Sequence, residues 1–136
     1  MKWSLSDPRF GDIVRVKTGD FYHYGIYASD DEIIQFGNTP VDRRMLVAKD
    51  IKVCVSSVSD FLAGGFMETG QPELFERKKM KTPEETVAAA RGFIGSGGYH
   101  LLNNNCEHFA YFCKFGEKKC SQIDEVREKV AKFLDK

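Results

Sequence analysis

Four cysteines (Cys54, Cys106, Cys113, Cys120) and three histidines (His23, His100, His108) are the side chains of this chain best suited to nucleophilic and proton-transfer chemistry near neutral pH. Cys106 is distinguished by its setting, Asn103-Asn104-Asn105-Cys106-Glu107-His108-Phe109. Cys106, Phe109, Ala110 and Cys113 recur at i, i+3, i+4 and i+7, the apolar stripe of a helix, and Asn104 or Asn105 supplies its cap. The thiol therefore falls in a first turn. Unpaired N–H groups and the positive end of the helix dipole favour thiolate there, and a neighbouring imidazolium would carry the pKa from ~8.5 toward roughly 3.5–7.5. A thiolate so placed attacks carbonyl carbon, which makes acyl transfer through a thioester the chemistry to consider.

The base must be one of three histidines. His108 lies two residues along the same helix, about 200° around its axis, so it points elsewhere and reads as a tether for the backbone or a nearby loop. His100 follows a glycine turn and reads as a surface or rim residue. His23 sits inside a strand between Tyr22 and Tyr24, a rigid mount for a base. Gln35, in the next strand, offers an amide oxygen that can accept the Nδ1–H of His23 and aim the other nitrogen at Cys106. Residue types alone leave two plainer readings open. Cys106 reads equally well as a small buried residue, and a zinc site from His23, His100, Cys106 and Cys113 or Cys120 is conceivable, although no close C-x-x-C pair is present. Gly95-Ser96-Gly97-Gly98 is followed by no Lys-Ser/Thr and reads as a helix stop rather than a phosphate loop.

These side chains need a scaffold. Ile13–Lys17, Phe21–Ala28 and Glu32–Phe36 alternate or are β-branched and are separated by Thr18-Gly19-Asp20 and Ser29-Asp30-Asp31, which predicts an antiparallel meander. Residues 37–50 read as a loop bordering the site. A fourth strand over 51–58 would bury Ile51, Val53 and Val55 on one face. Residues 59–81 carry Gly64-Gly65, Gly70 and Pro72 and show no sustained pattern, with only 73–80 a candidate ordered element. Thr82-Pro83-Glu84-Glu85 is a capping box that starts a helix running to about Gly95. Tyr99–Leu102 resumes in extended form, and Gly116 closes the Cys106 helix. A last helix over about 121–135 carries Ile123, Val126, Val130, Phe133 and Leu134 on a stripe expected to pack on the core. From Asp124 onward its four acidic residues are matched by four basic ones, not the Lys/Arg excess of a membrane-surface helix.

The 136 residues form one domain, 1–136, with a sequence core of about 8–123, in an α+β arrangement of an antiparallel β-sheet packed against helices. Twenty Lys and Arg balance twenty Asp and Glu, so no global field attracts a nucleic acid. No apolar run approaches the ~18 residues of a membrane span and the first residues lack a signal-peptide core. The expectation is a soluble cytoplasmic protein with free thiols and no transmembrane anchor, peripheral membrane contact being left open. Oligomeric state is not readable.

Two segments together resemble the lecithin retinol acyltransferase-like domain, which includes the HRAS-like suppressor phospholipase/acyltransferases: Gly11-Asp12-Ile13-Val14 followed by Tyr22-His23-Tyr24-Gly25-Ile26-Tyr27, and Asn105-Cys106-Glu107-His108-Phe109 with Phe115-Gly116 at the helix end. The resemblance implies a circularly permuted papain-like (NlpC-type) fold in which the histidine precedes the cysteine. It implies Cys106 as nucleophile, His23 as base and Gln35 at a position where the family commonly has histidine. The implied reaction is ping-pong acyl transfer or hydrolysis on an ester or amide of a small-molecule, lipid or peptide substrate, with no cofactor and no metal. The Cys106 N–H is one oxyanion donor, and Tyr22 is the candidate second. A peptidase or amidase of the wider superfamily, and a catalytically weak binding domain that keeps the fold, are the alternatives, the second motivated by Gln35.

Overall fold

The computed structural model describes residues 1–37, 51–100 and 104–134. Six strands form one sheet: β1 Lys2–Ser4, β2 Ile13–Thr18, β3 Phe21–Ser29, β4 Glu32–Phe36, β5 Val53–Ser56 and β6 Met67–Gln71, in the order β1-β6-β2-β3-β4-β5. Every neighbouring pair is antiparallel. Five helices complete the described elements: α1 Val58–Leu62, α2 Leu74–Arg77, α3 Pro83–Gly92, α4 Cys106–Phe115 and α5 Ser121–Leu134. This is the expected α+β class, with the β2–β3–β4 meander at the centre of the sheet.

Strand alternation divides the interior in two. On one face Ile13, Tyr24, Ile26, Ile34 and Phe36 meet Phe109, Ala110 and Cys113 of α4 and Val87 and Ala90 of α3. On the other, Val14, Val16 and Ile33 enclose Phe61 of α1. Gly25 is required between these layers. A Cβ there would lie 2.8 Å from Ile33 Cγ2 and 3.1 Å from Phe61 Cε1, closer than those side chains can yield without repacking.

Local signals set the helix starts. Thr82 Oγ1 accepts from Glu85 N and Glu85 Oε1 from Thr82 N, both at 3.1 Å, with Pro83 in the first helical position. That helix stops at Gly92 with Phe93 as its cap, earlier than the glycine run indicates. The fourth strand is also shorter than expected. Ser57 caps α1 by accepting from Asp60 N at 3.2 Å, which turns Val58 into a helix start. Val55, on the edge strand, is exposed, whereas Ile51 and Val53 join the core. The unpatterned stretch 59–81 contains most of α1, all of β6 and α2. Val130 and Leu134 of α5 are exposed rather than packed; the side chains of Ile123, Val126 and Phe133 lie outside the described set. So do residues 38–50, read as a site-bordering loop, and 101–103, within the expected extended segment. Among the described residues no helix is long and apolar enough to cross a membrane.

Candidate active site

The site begins with the cap of α4. Asn105 Oδ1 accepts from Glu107 N at 3.0 Å and His108 N at 3.1 Å, and His108 Nδ1 accepts from Asn105 N at 3.1 Å. This is a capping box in which histidine plays the part usually taken by Glu or Gln. It requires neutral His108 with its proton on Nε2, and burial holds its pKa below the ordinary histidine value. His108 is thus the tether its helical angle indicates, and His100 is exposed, in an isolated bridge with Asn104.

Glu107 has a role that its sequence position did not reveal. Its carboxylate is fully buried and reaches the start of α5, where Oε2 accepts from Ser121 N (3.1 Å) and Ser121 Oγ (2.8 Å) and Oε1 accepts from the Cys120 thiol (3.3 Å). Asn105 Nδ2 donates to the same sulfur at 3.3 Å. A carboxylate at a helix N-terminus is favoured by the dipole, so Glu107 fastens α5 to the first turn of α4. Only the fold brings residues 107 and 121 together; an acidic residue beside a predicted helix start is the single sequence hint.

Cys106 is buried, and its thiol points at the main chain on either side of His23. Sγ lies 4.0 Å from the Tyr22 carbonyl oxygen, and the Tyr24 main chain also hydrogen-bonds the sulfur. Strand geometry explains the position. Tyr27 bonds the head of β2 with both main-chain groups, so alternation turns those of Tyr22 and Tyr24 toward β4. Among the described residues the β3–β4 register runs to Gly25↔Gln35, and the sulfur lies beyond it along β3, against Tyr22 and Tyr24. Burial pushes the Cys106 thiol up to about 11. Hydrogen bonding from the Tyr24 main chain opposes the rise, and the Glu107 carboxylate adds to it. The helix start alone argued for a lowered value; burial outweighs it.

His23 and Gln35 meet directly, His23 Nε2 to Gln35 Oε1 at 2.6 Å, both side chains buried. The nitrogen is the opposite of the one expected. Gly25, not His23, stands across from Gln35, so the amide approaches the ring diagonally and meets Nε2. The ring lies on the Phe61 face, with centroids 5.4 Å apart. Its Cε1 is 3.9 Å from where a Cβ on Gly37 would stand, just past the end of β4. Tyr22 offers its carbonyl to the sulfur, while its ring covers the Arg15 guanidinium at 3.8 Å, with Trp3 on the same cation at 4.0 Å. Among the described residues no group of three or more His, Cys, Asp or Glu side chains is gathered as metal ligands.

A family model described as Lecithin retinol acyltransferase matches residues 6–119. Lecithin retinol acyltransferase from Homo sapiens is 29% identical over 138 residues, covering 88% of this chain and 60% of the relative. The Rattus norvegicus protein of the same name is 28% identical with the same coverage. Phospholipase A and acyltransferase 4 from Homo sapiens is 19% identical over 134 residues, covering 91% of this chain and 80% of the relative. The chain thus spans 60% of the length of the first two.

Proposed function

The chain belongs to the lecithin retinol acyltransferase family, and we propose that it is a cysteine-dependent acyltransferase or hydrolase acting on lipid acyl esters through a Cys106 thioester. The observation that carries the reading is the hydrogen bond between His23 and Gln35, formed on the strand whose main chain receives the Cys106 thiol. Histidine preceding cysteine in the chain supports the permuted papain-like reading of the fold.

In this chemistry Cys106 Sγ forms a bond to the carbonyl carbon as His23 Nδ1 takes the thiol proton. His23 then gives that proton to the departing alcohol, leaving an acyl thioester. Water, an alcohol or an amine adds to the thioester, loses its proton to His23, and releases the acyl product with the thiol restored. Gln35 Oε1 accepts from Nε2–H throughout and fixes the tautomer. The Cys106 N–H, at the start of α4, serves the oxyanion, and Tyr22 is the second candidate donor. The names of the relatives point to lipid substrates. Incubation with dihexanoylphosphatidylcholine followed by intact-mass and peptide analysis should reveal a hexanoyl adduct on Cys106. Full turnover by Cys106→Ala would overturn the assignment.

The raised Cys106 thiol favours a second reading, a lipid-binding domain of low turnover. Saturable binding of the same lipid with no adduct and no hydrolysis is its signature.

A further inference from the structure

The hydrogen-bonded row that begins at His23 continues past Gln35. Gln35 Nε2 donates to Ser56 Oγ at 2.7 Å while Oε1 holds His23. Ile33 pairs with Ser56 and Gln35 with Cys54, so Ser56, Gln35 and His23 run diagonally across β5, β4 and β3 on the Phe61 face. Gln35 is long enough to bridge two diagonal neighbours, which stand about 7–8 Å apart in a sheet.

An amide in this position has two ends of opposite character, and only one order suits a base. With Oε1 toward the ring, His23 carries its proton on Nε2, Nδ1 keeps its lone pair, and the ring can accept a second proton without losing Gln35. With the amide reversed, its NH2 faces Nε2, which must then be the acceptor. The proton sits on Nδ1, and protonation of Nε2 would set donor against donor. A carboxylate has no wrong way round; glutamine does, and something must orient it. Ser56 is the group in contact with the other end of the amide.

We propose that Ser56 is a positioning residue: with its own O–H directed away from Gln35 it accepts from Gln35 Nε2, keeps the amide oxygen on His23 and thereby keeps His23 in the Nε2–H form that can take the Cys106 proton. The proposal rests on the reading of His23 as the base. It assigns to a half-buried serine on the edge strand the task of making a glutamine behave as a one-way acceptor.

The test combines a spectroscopic and a kinetic readout. In 15N-labelled protein the His23 ring should show a protonated Nε2 and an unprotonated Nδ1, and Ser56→Ala should convert this into a mixture of tautomers. On dihexanoylphosphatidylcholine, Ser56→Ala should lower kcat/KM by about tenfold, the effect of one lost hydrogen bond, and Ser56→Thr should restore most of it. In a Gln35→Glu background, where either oxygen can accept, Ser56→Ala should cost less than about twofold. Equal losses in the two backgrounds would mean a merely structural serine and would overturn the proposal, as would an Nδ1–H ring in the unmodified protein. Full turnover by Cys106→Ala is a separate failure, that of the catalytic reading. The tautomer measurement needs no turnover, so it still decides whether Ser56 orients the amide.

Discussion

Replacing Asn105 by alanine removes the oxygen that receives two main-chain N–H groups at the start of α4. An ordinary cap is worth about 1 kcal/mol and the best about 2. Two features move Asn105 to the upper end. The stranded N–H groups belong to buried residues, Glu107 and His108, where water cannot substitute freely, and a buried unpaired donor costs about 1–3 kcal/mol. Asn105 Nδ2 also donates to Cys120, so the contact between α4 and the start of α5 loses a tie. The expected loss is about 2–3 kcal/mol, a fall in Tm of roughly 6–12 °C for a domain of this size. Urea titration should show a lower midpoint with an unchanged slope. Asn105→Ser keeps a capping oxygen but not the amide donor and should recover at least half. A loss for Asn105→Ala of under about 0.5 kcal/mol, or no recovery with serine, would refute the argument that buried capping dominates here.

Other perturbations have equally definite signs. His108 has a lowered pKa in the folded chain, so its contribution to stability is present above the ordinary histidine pKa and is lost as pH falls from there through the folded value; His108→Gln should flatten that part of a stability–pH curve. Burial raises the thiols of Cys106 and Cys113, to about 11 and about 12. Their contribution is complete below the unfolded thiol value and is lost as pH rises toward the folded ones, and Cys113→Ala should remove up to one proton from that alkaline slope in urea titrations at stepped pH. Gly11 has φ +89° and a Cβ there would stand 2.7 Å from Pro83 Cα, so Gly11→Ala should cost more than about 2 kcal/mol by the same assay. Gln35→His places a titrating ring where an amide stood. The acid limb of kcat/KM against pH should steepen from one proton toward two, and an unchanged limb would show that residue 35 does not share the histidine's protonation.

What could be read from the chain was local. Thr82, Pro83 and Glu85 start a helix through contacts within one turn, and Asn105 does the same for α4, so type and spacing suffice. The meander was visible because β2, β3 and β4 alternate and the turns between them are short. Met67–Gln71 forms a strand through pairing with β1 and β2, not through its own apolar pattern, and Lys2–Ser4 is too short to show one. The same division runs through the site. The helix start that favours thiolate is visible in seven residues, whereas the burial that pushes the thiol up depends on strands and helices distant in sequence. Glu107 and Lys114 illustrate the point: a buried carboxylate is accounted for by Ser121 and Cys120, and a buried amine by the Gly11 carbonyl at 2.8 Å. A residue's partner, unlike its propensity, is a property of topology.

Burial of Cys106 and the neutrality of Gln35 act in the same direction on the proposed chemistry. Separating a thiolate from its proton in a dry site is costly, and an amide stabilises imidazolium less than a carboxylate would. The resting state should therefore hold a neutral thiol and a neutral imidazole, with charge separation deferred until the sulfur meets a carbonyl whose developing oxyanion receives the negative charge. In that sequence the proton moves to Nδ1 as the carbon–sulfur bond forms, and the value of a correctly oriented Gln35 is realised only then, when both ring nitrogens carry hydrogen and one of them must already face an acceptor. A site of this kind reacts sluggishly with a simple alkylating agent, which offers no carbonyl oxygen for the helix N–H to receive, yet remains competent toward an ester. Reactivity toward iodoacetamide and turnover of an acyl ester are thus expected to diverge, and it is turnover that tests the proposed arrangement of Cys106, His23 and Gln35.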